Sequence, residues 1–124
     1  MDSAQKTSQN LFEVYLRLRP PLPGTPSQPD RVLNVEKPED EAAAPSHITL
    51  NPPSDRRRAV ERFGFTRVFE EEASQVDVFN NIQIVPMVEG VLGSKGGEGT
   101  DAVVATLGVT GSGKVRLSRT LLTK

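Results

Sequence analysis

The sequence predicts an α/β fold with a central sheet, on three observations. Residues 11–19 alternate apolar and polar side chains, the pattern of a strand with one buried face. Val78, Ile82, Val85 and Leu92 recur at spacings of four, three and seven, one apolar stripe of an amphipathic helix. Asp101 to Leu107 is a near-continuous apolar run, as expected of a buried parallel strand, and it leads straight into a glycine-rich turn. Strand, helix, strand and loop in this order point to helices packed on a sheet.

The chain has 124 residues, enough for one small domain with one core. Its formal net charge of −1 gives no global field toward nucleic acid or a membrane surface, and neither is expected as a partner. There is no cysteine, which excludes a disulfide framework and a thiolate metal site. The single histidine, His47, excludes a histidine cluster supplied by this chain. No stretch approaches the ~18 apolar residues of a membrane-spanning helix, and the N-terminus lacks a signal-type apolar run. A soluble intracellular protein is the expectation.

Residues 1–10 are polar and expected to be flexible. In the first strand Phe12, Val14, Leu16 and Leu18 alternate with Glu13, Tyr15, Arg17 and Arg19, and Pro20-Pro21 stops it. Residues 20–30 read as a loop. Residues 31–35 and 47–50 read as short strands, separated by an acidic loop over 36–46. Arg56-Arg57-Arg58 sits beside Asp55 and Glu61, so a solvated loop is a better reading than a binding patch. Phe63, Phe65, Val68 and Phe69 mark a strand or strand end and candidate core. Ser74 is a candidate N-cap, with Glu70-Glu71-Glu72 ahead of it near the positive helix end. The apolar stripe predicts a helix of about five turns. Pro86 falls inside it, and either kinks the helix or marks its real start. Residues 93–100 form a glycine-rich connector to the strand at 101–107.

The most informative stretch is Gly108-Val109-Thr110-Gly111-Ser112-Gly113-Lys114. It has the form G-x-x-x-x-G-K of a phosphate-binding P-loop. Glycines allow a tight wrap in which backbone N–H groups face phosphate oxygens, and the following helix presents its N-terminus to the same anion. Lys114 would reach the terminal phosphates. The pattern then requires Ser or Thr, whose hydroxyl ligates Mg²⁺, but this chain has Val115.

Four separated pieces resemble a kinesin motor domain in their order. Residues 14–20, Val-Tyr-Leu-Arg-Leu-Arg-Pro, are similar to its first strand, which ends in R-x-R-P. Phe65-Thr66-Arg67-Val68-Phe69 resembles the F-D-x-V-F segment, with Thr66 for aspartate. Ser74-Gln75, Val78-Phe79, Val85-Pro86-Met87-Val88 and Val91-Leu92 resemble the first long helix. Gly108 to Lys114 resembles the G-Q-T-G-S-G-K loop, with Val109 for glutamine. The resemblance covers about residues 11–114, and residues 115–124 form a divergent tail.

The resemblance implies a P-loop NTPase fold of kinesin-motor type, ATP as ligand, Mg²⁺ with its ligand position lost at Val115, and microtubules as partner in the cytoskeleton. Arg17, Arg19 and Pro20 would border the adenine; otherwise they are a strand end with solvated arginines. Gly108, Val109, Thr110, Gly111, Ser112, Gly113, Lys114 and Val115 would form the phosphate loop; otherwise a glycine-rich turn. Leu107 stands where many kinesins have an aromatic. His47 and Tyr15 read as structural. An unrelated P-loop ATPase or kinase is disfavoured by R-L-R-P and F-T-R-V-F. The tail does not resemble kinesin, so the chain is expected to be a motor domain truncated after its P-loop, without switch loops or tubulin-binding surface. It would then be a non-catalytic fragment that at most binds nucleotide.

Overall fold

A computed structural model describes residues 12–24, 32–51, 59–93 and 96–122. The expected flexible N-terminus at 1–10, most of the loop at 20–30 and the arginine run at 56–58 lie outside the described residues. The chain divides into two compact units, residues 1–70 and 71–124.

Among the described residues of the first unit, β-branched and aromatic residues flanked by turns form five short strands: β1 (Tyr15–Arg17), β2 (Leu33–Val35), β3 (His47–Leu50), β4 (Glu61–Gly64) and β5 (Arg67–Phe69). β1 and β5 pair in parallel, with Tyr15 opposite Arg67 and Arg17 opposite Phe69. β2, β3 and β4 form an antiparallel sheet in that order. Among the described residues of this unit, Ile48, Val68 and Phe69 are the buried apolar side chains. Thr66, where the family pattern has aspartate, ties the entry of β1 to that of β5. The Val14 N–H donates to Thr66 Oγ1 at 3.0 Å, and the Thr66 N–H donates to the Val14 carbonyl at 2.8 Å.

On the antiparallel sheet, Arg62 donates from Nε and Nη2 to the Glu36 carboxylate at 2.7–2.9 Å. These hydrogen bonds, and then the guanidinium charge, hold the Glu36 carboxyl below its ordinary range. The pair is exposed to water, which limits its contribution to stability. At the start of β3, Ser46 Oγ lies 2.8 Å from His47 Nδ1, and the His47 ring packs over Gly64.

The described residues of the second unit form three helices: α1 (Gln75–Asn81), α2 (Ile84–Leu92) and α3 (Lys114–Leu122). Ser74 is the N-cap of α1, as expected. The Asp77 N–H donates to Ser74 Oγ while Asp77 Oδ2 accepts from the Ser74 N–H, a reciprocal capping box. Ser74→Ala removes one half of this box and is expected to destabilise the chain by about 1 kcal/mol, read as a lowered midpoint in a thermal melt.

Four sequence expectations are corrected. The first strand is shorter than the alternation suggested. Only Tyr15–Arg17 pairs, and Phe12 and Val14 are exposed, because β5 supplies just three residues of partner. The single five-turn helix is two helices, broken at Ile82-Gln83. Of the two readings of Pro86, the start of a helix holds: it is the third residue of α2, where an amide would have no intrahelical acceptor. The break shifts the helical phase, so the stripe does not stay on one face. Val78 is buried, but Val85 and Leu92 are exposed and Ile84 is buried instead. Among the phenylalanines expected in the core, Phe69 is buried and Phe63 is exposed.

The fourth correction matters most for the site. Residues 101–107 form no strand. Among the described residues no strand lies beside them, so their ladder groups and apolar side chains have nothing to pair with. Val103 and Leu107 are 87% and 93% exposed. The glycine-rich connector before them is anchored at its far end, where the Thr100 N–H donates to the Gly90 carbonyl at 2.9 Å.

Candidate phosphate-binding loop

The loop begins at Gly108 and ends in the first turn of α3. It closes on itself at three points. The Ser112 N–H donates to the Val109 carbonyl at 3.1 Å, which makes a tight turn at its tip. Gly111 and Gly113 have φ of 79° and 94°, in the left-handed region that side chains disfavour, and these reverse the chain into the helix. At Gly108 the constraint is space: a Cβ there would collide with the Ser112 hydroxyl. The small residues of the motif are thus required by this backbone path.

The Leu117 N–H donates to the Gly113 carbonyl at 3.0 Å, which places Gly113 at the N-cap of α3. The amides of Lys114, Val115 and Arg116 then have no carbonyl four residues back within the helix, and together they form a positive helix end. Lys114 folds back over the loop, and its Nζ donates to the Gly108 carbonyl at 2.6 Å. The ammonium therefore lies over the loop. α3 packs on α1, and Gln75 Nε2 makes a long 3.5 Å contact to the Arg116 carbonyl. Leu121 is buried, while Val115 is 68% exposed. The Ser118 hydroxyl donates to the Val115 carbonyl at 3.1 Å.

The predicted loop residues Gly108, Val109, Thr110, Gly111, Ser112, Gly113, Lys114 and Val115 are thus contiguous in one turn and helix start of the second unit. Residues 115–122 of the divergent tail continue that helix. Arg17, Arg19 and Pro20 belong to the first unit. Arg17 ends β1, the Leu18 N–H donates to the Phe69 carbonyl at 2.9 Å, and Arg19 and Pro20 are exposed just beyond. They stand at the carboxyl end of a parallel strand, the end at which open α/β sheets bind ligands. Beside them the Tyr15 and Phe69 rings lie 6.2 Å apart, and the Arg67 guanidinium lies 5.1 Å from the Phe69 ring centre.

Two features of the loop were not found from the sequence. One is the Ser112 hydroxyl, which is buried against Gly108 with no hydrogen-bond partner. The other is the contact of Lys114 with the Gly108 carbonyl. The spacing of Gly108 to Lys114 held a clue to the second, since a lysine at the start of a helix can reach back across one loop.

No protein-family model matches the sequence. Among curated proteins, the chain is 34% identical over 103 residues to kinesin-like protein KIN-14I of Arabidopsis thaliana, covering 83% of this chain and 9% of that protein. It is 39% identical over 85 residues to kinesin-like protein 6 of Schizosaccharomyces pombe, covering 68% of this chain and 10% of that protein. The chain therefore spans about a tenth of the length of these relatives. Among solved structures, the motor domain of the Kar3-like kinesin from Ashbya gossypii is similar, at 27% identity and a TM-score of 0.46, over 65% of this chain and 24% of that one.

Proposed function

The chain is a partial kinesin motor domain, and from that premise we propose that it carries the nucleotide-binding front end of an ATP-dependent microtubule motor of the cytoskeleton. The observation that carries this reading is the loop from Gly108 to Lys114, closed over its own glycines and leading directly into α3. Phosphates would be held by the amides at the start of α3 and by the Lys114 ammonium. Arg17, Arg19 and Pro20, at the carboxyl end of β1, are the proposed border of the adenine, where an arginine can lie on the ring face. Microtubules are the proposed partner, on the strength of the kinesin resemblance.

A second reading concerns this chain by itself, and the residue that favours it is Val115. Phosphoryl transfer needs charge neutralisation at the terminal phosphate as well as positioning. Val115 contributes no oxygen to that task, and the chain by itself would bind nucleotide without hydrolysing it. Binding of a fluorescent ATP analogue, measured beside ATP turnover with and without microtubules, tests both readings. The expected result is saturable binding with no microtubule-stimulated turnover. Stimulated turnover would overturn the second reading, and absence of binding would overturn the first.

A further inference from the structure

Resting on the nucleotide reading above, we infer that this loop takes nucleotide phosphates as a metal-free anion, and that Mg²⁺ does not join the bound complex. The inference comes from the oxygen atoms around the loop. Val115 stands where a metal-ligating hydroxyl would be needed, and its isopropyl group is exposed at the start of α3. The Ser112 hydroxyl is buried on the Gly108 side, out of contact with solvent. The Ser118 hydroxyl, nearly one turn farther along α3, is donated to the Val115 carbonyl and occupies that oxygen as well. Among the described residues no group of three His, Asp or Glu side chains could hold a metal ion. Mg²⁺ demands near-ideal octahedral oxygen geometry and gives up its waters reluctantly. A valine surface offers it nothing in exchange.

What the loop does offer is positive: the helix-end amides and the Lys114 ammonium. To engage a phosphate, Lys114 must leave the Gly108 carbonyl, trading a neutral acceptor for a charged one. That exchange is strongest with the free anion. Mg²⁺ on the nucleotide neutralises part of the charge Lys114 would meet, and without a protein ligand it returns nothing. Magnesium should therefore leave binding unchanged or weaken it.

The test is titration of the 124-residue chain with ADP by calorimetry, in EDTA and in magnesium at matched ionic strength, for the wild type and Val115→Thr. The wild type is expected to bind at least as tightly without metal as with it. The Val115→Thr variant is expected to gain about tenfold or more in affinity when magnesium is added. A gain of about tenfold from magnesium in the wild type would overturn the inference while leaving the nucleotide reading intact. Equal insensitivity of both proteins would overturn the assignment of the effect to residue 115. Absence of ADP binding in either buffer would overturn the nucleotide reading and the inference with it. Circular dichroism of both proteins separates a lost site from a lost fold.

Discussion

Lys114→Met is expected to weaken binding of a fluorescent ATP analogue by about ten- to hundredfold, with the circular dichroism spectrum unchanged. The size follows from replacing one charge-assisted hydrogen bond to phosphate. It stays at that size, and no larger, because Lys114 already has a partner within the loop: its Nζ lies 2.6 Å from the Gly108 carbonyl. Binding exchanges that partner for a stronger one, and only the difference is lost on substitution. Methionine is nearly as good a helix former as lysine, so α3 should keep its first turn. Retention of affinity within about twofold would mean that phosphate is held elsewhere, and the loop would revert to a glycine-rich turn.

Val68→Ala is expected to destabilise the chain by about 2 kcal/mol, through lost burial and the cavity left behind. In a chain of this size that is a drop of roughly 8 °C in Tm. Val68 is only 2% exposed, and it lies on β5 opposite Leu16 of β1. The small core of its unit leaves few neighbours able to close the gap. Val103→Ser is the matched comparison. The sequence places Val103 in a buried strand, but the structure leaves it 87% exposed. Its substitution should therefore change stability by no more than about 0.5 kcal/mol. A large loss at Val103 with none at Val68 would show that the segment 101–107, and not the β1–β5 pair, is the core of the folded chain.

The contrast between these two valines shows how much was legible in the sequence. Signals that depend on neighbours in the chain were readable. Ser74 caps a helix because its acceptor and Asp77 are three residues apart. The short strands at 33–35 and 47–50 fall where turns and β-branched residues place them. The loop at 108–114 is a local device as well, since its glycines are required by a path within seven residues. Signals that depend on a distant partner were not readable. The alternation over residues 11–19 and the apolar run over 101–107 describe faces that could be buried. Whether they are depends on another strand lying alongside. β5 covers three residues of the first run, and among the described residues no strand covers the second.

Helix continuity lies between these cases. Pro86 announced a disturbance, but the position of the break at Ile82-Gln83, and the burial of Ile84 in place of Val85, were settled by packing. The sequence by itself determined the Ser74 cap, the phosphate-loop motif and the absence of a metal-ligating hydroxyl at Val115, because each is a matter of residue type at short range. Only the tertiary structure decided which apolar runs are buried, that Lys114 rests on the Gly108 carbonyl, and that the Ser112 hydroxyl is enclosed against Gly108. Those outcomes depend on where atoms distant in the chain, or across a closed turn, come to lie, and local pattern does not encode that.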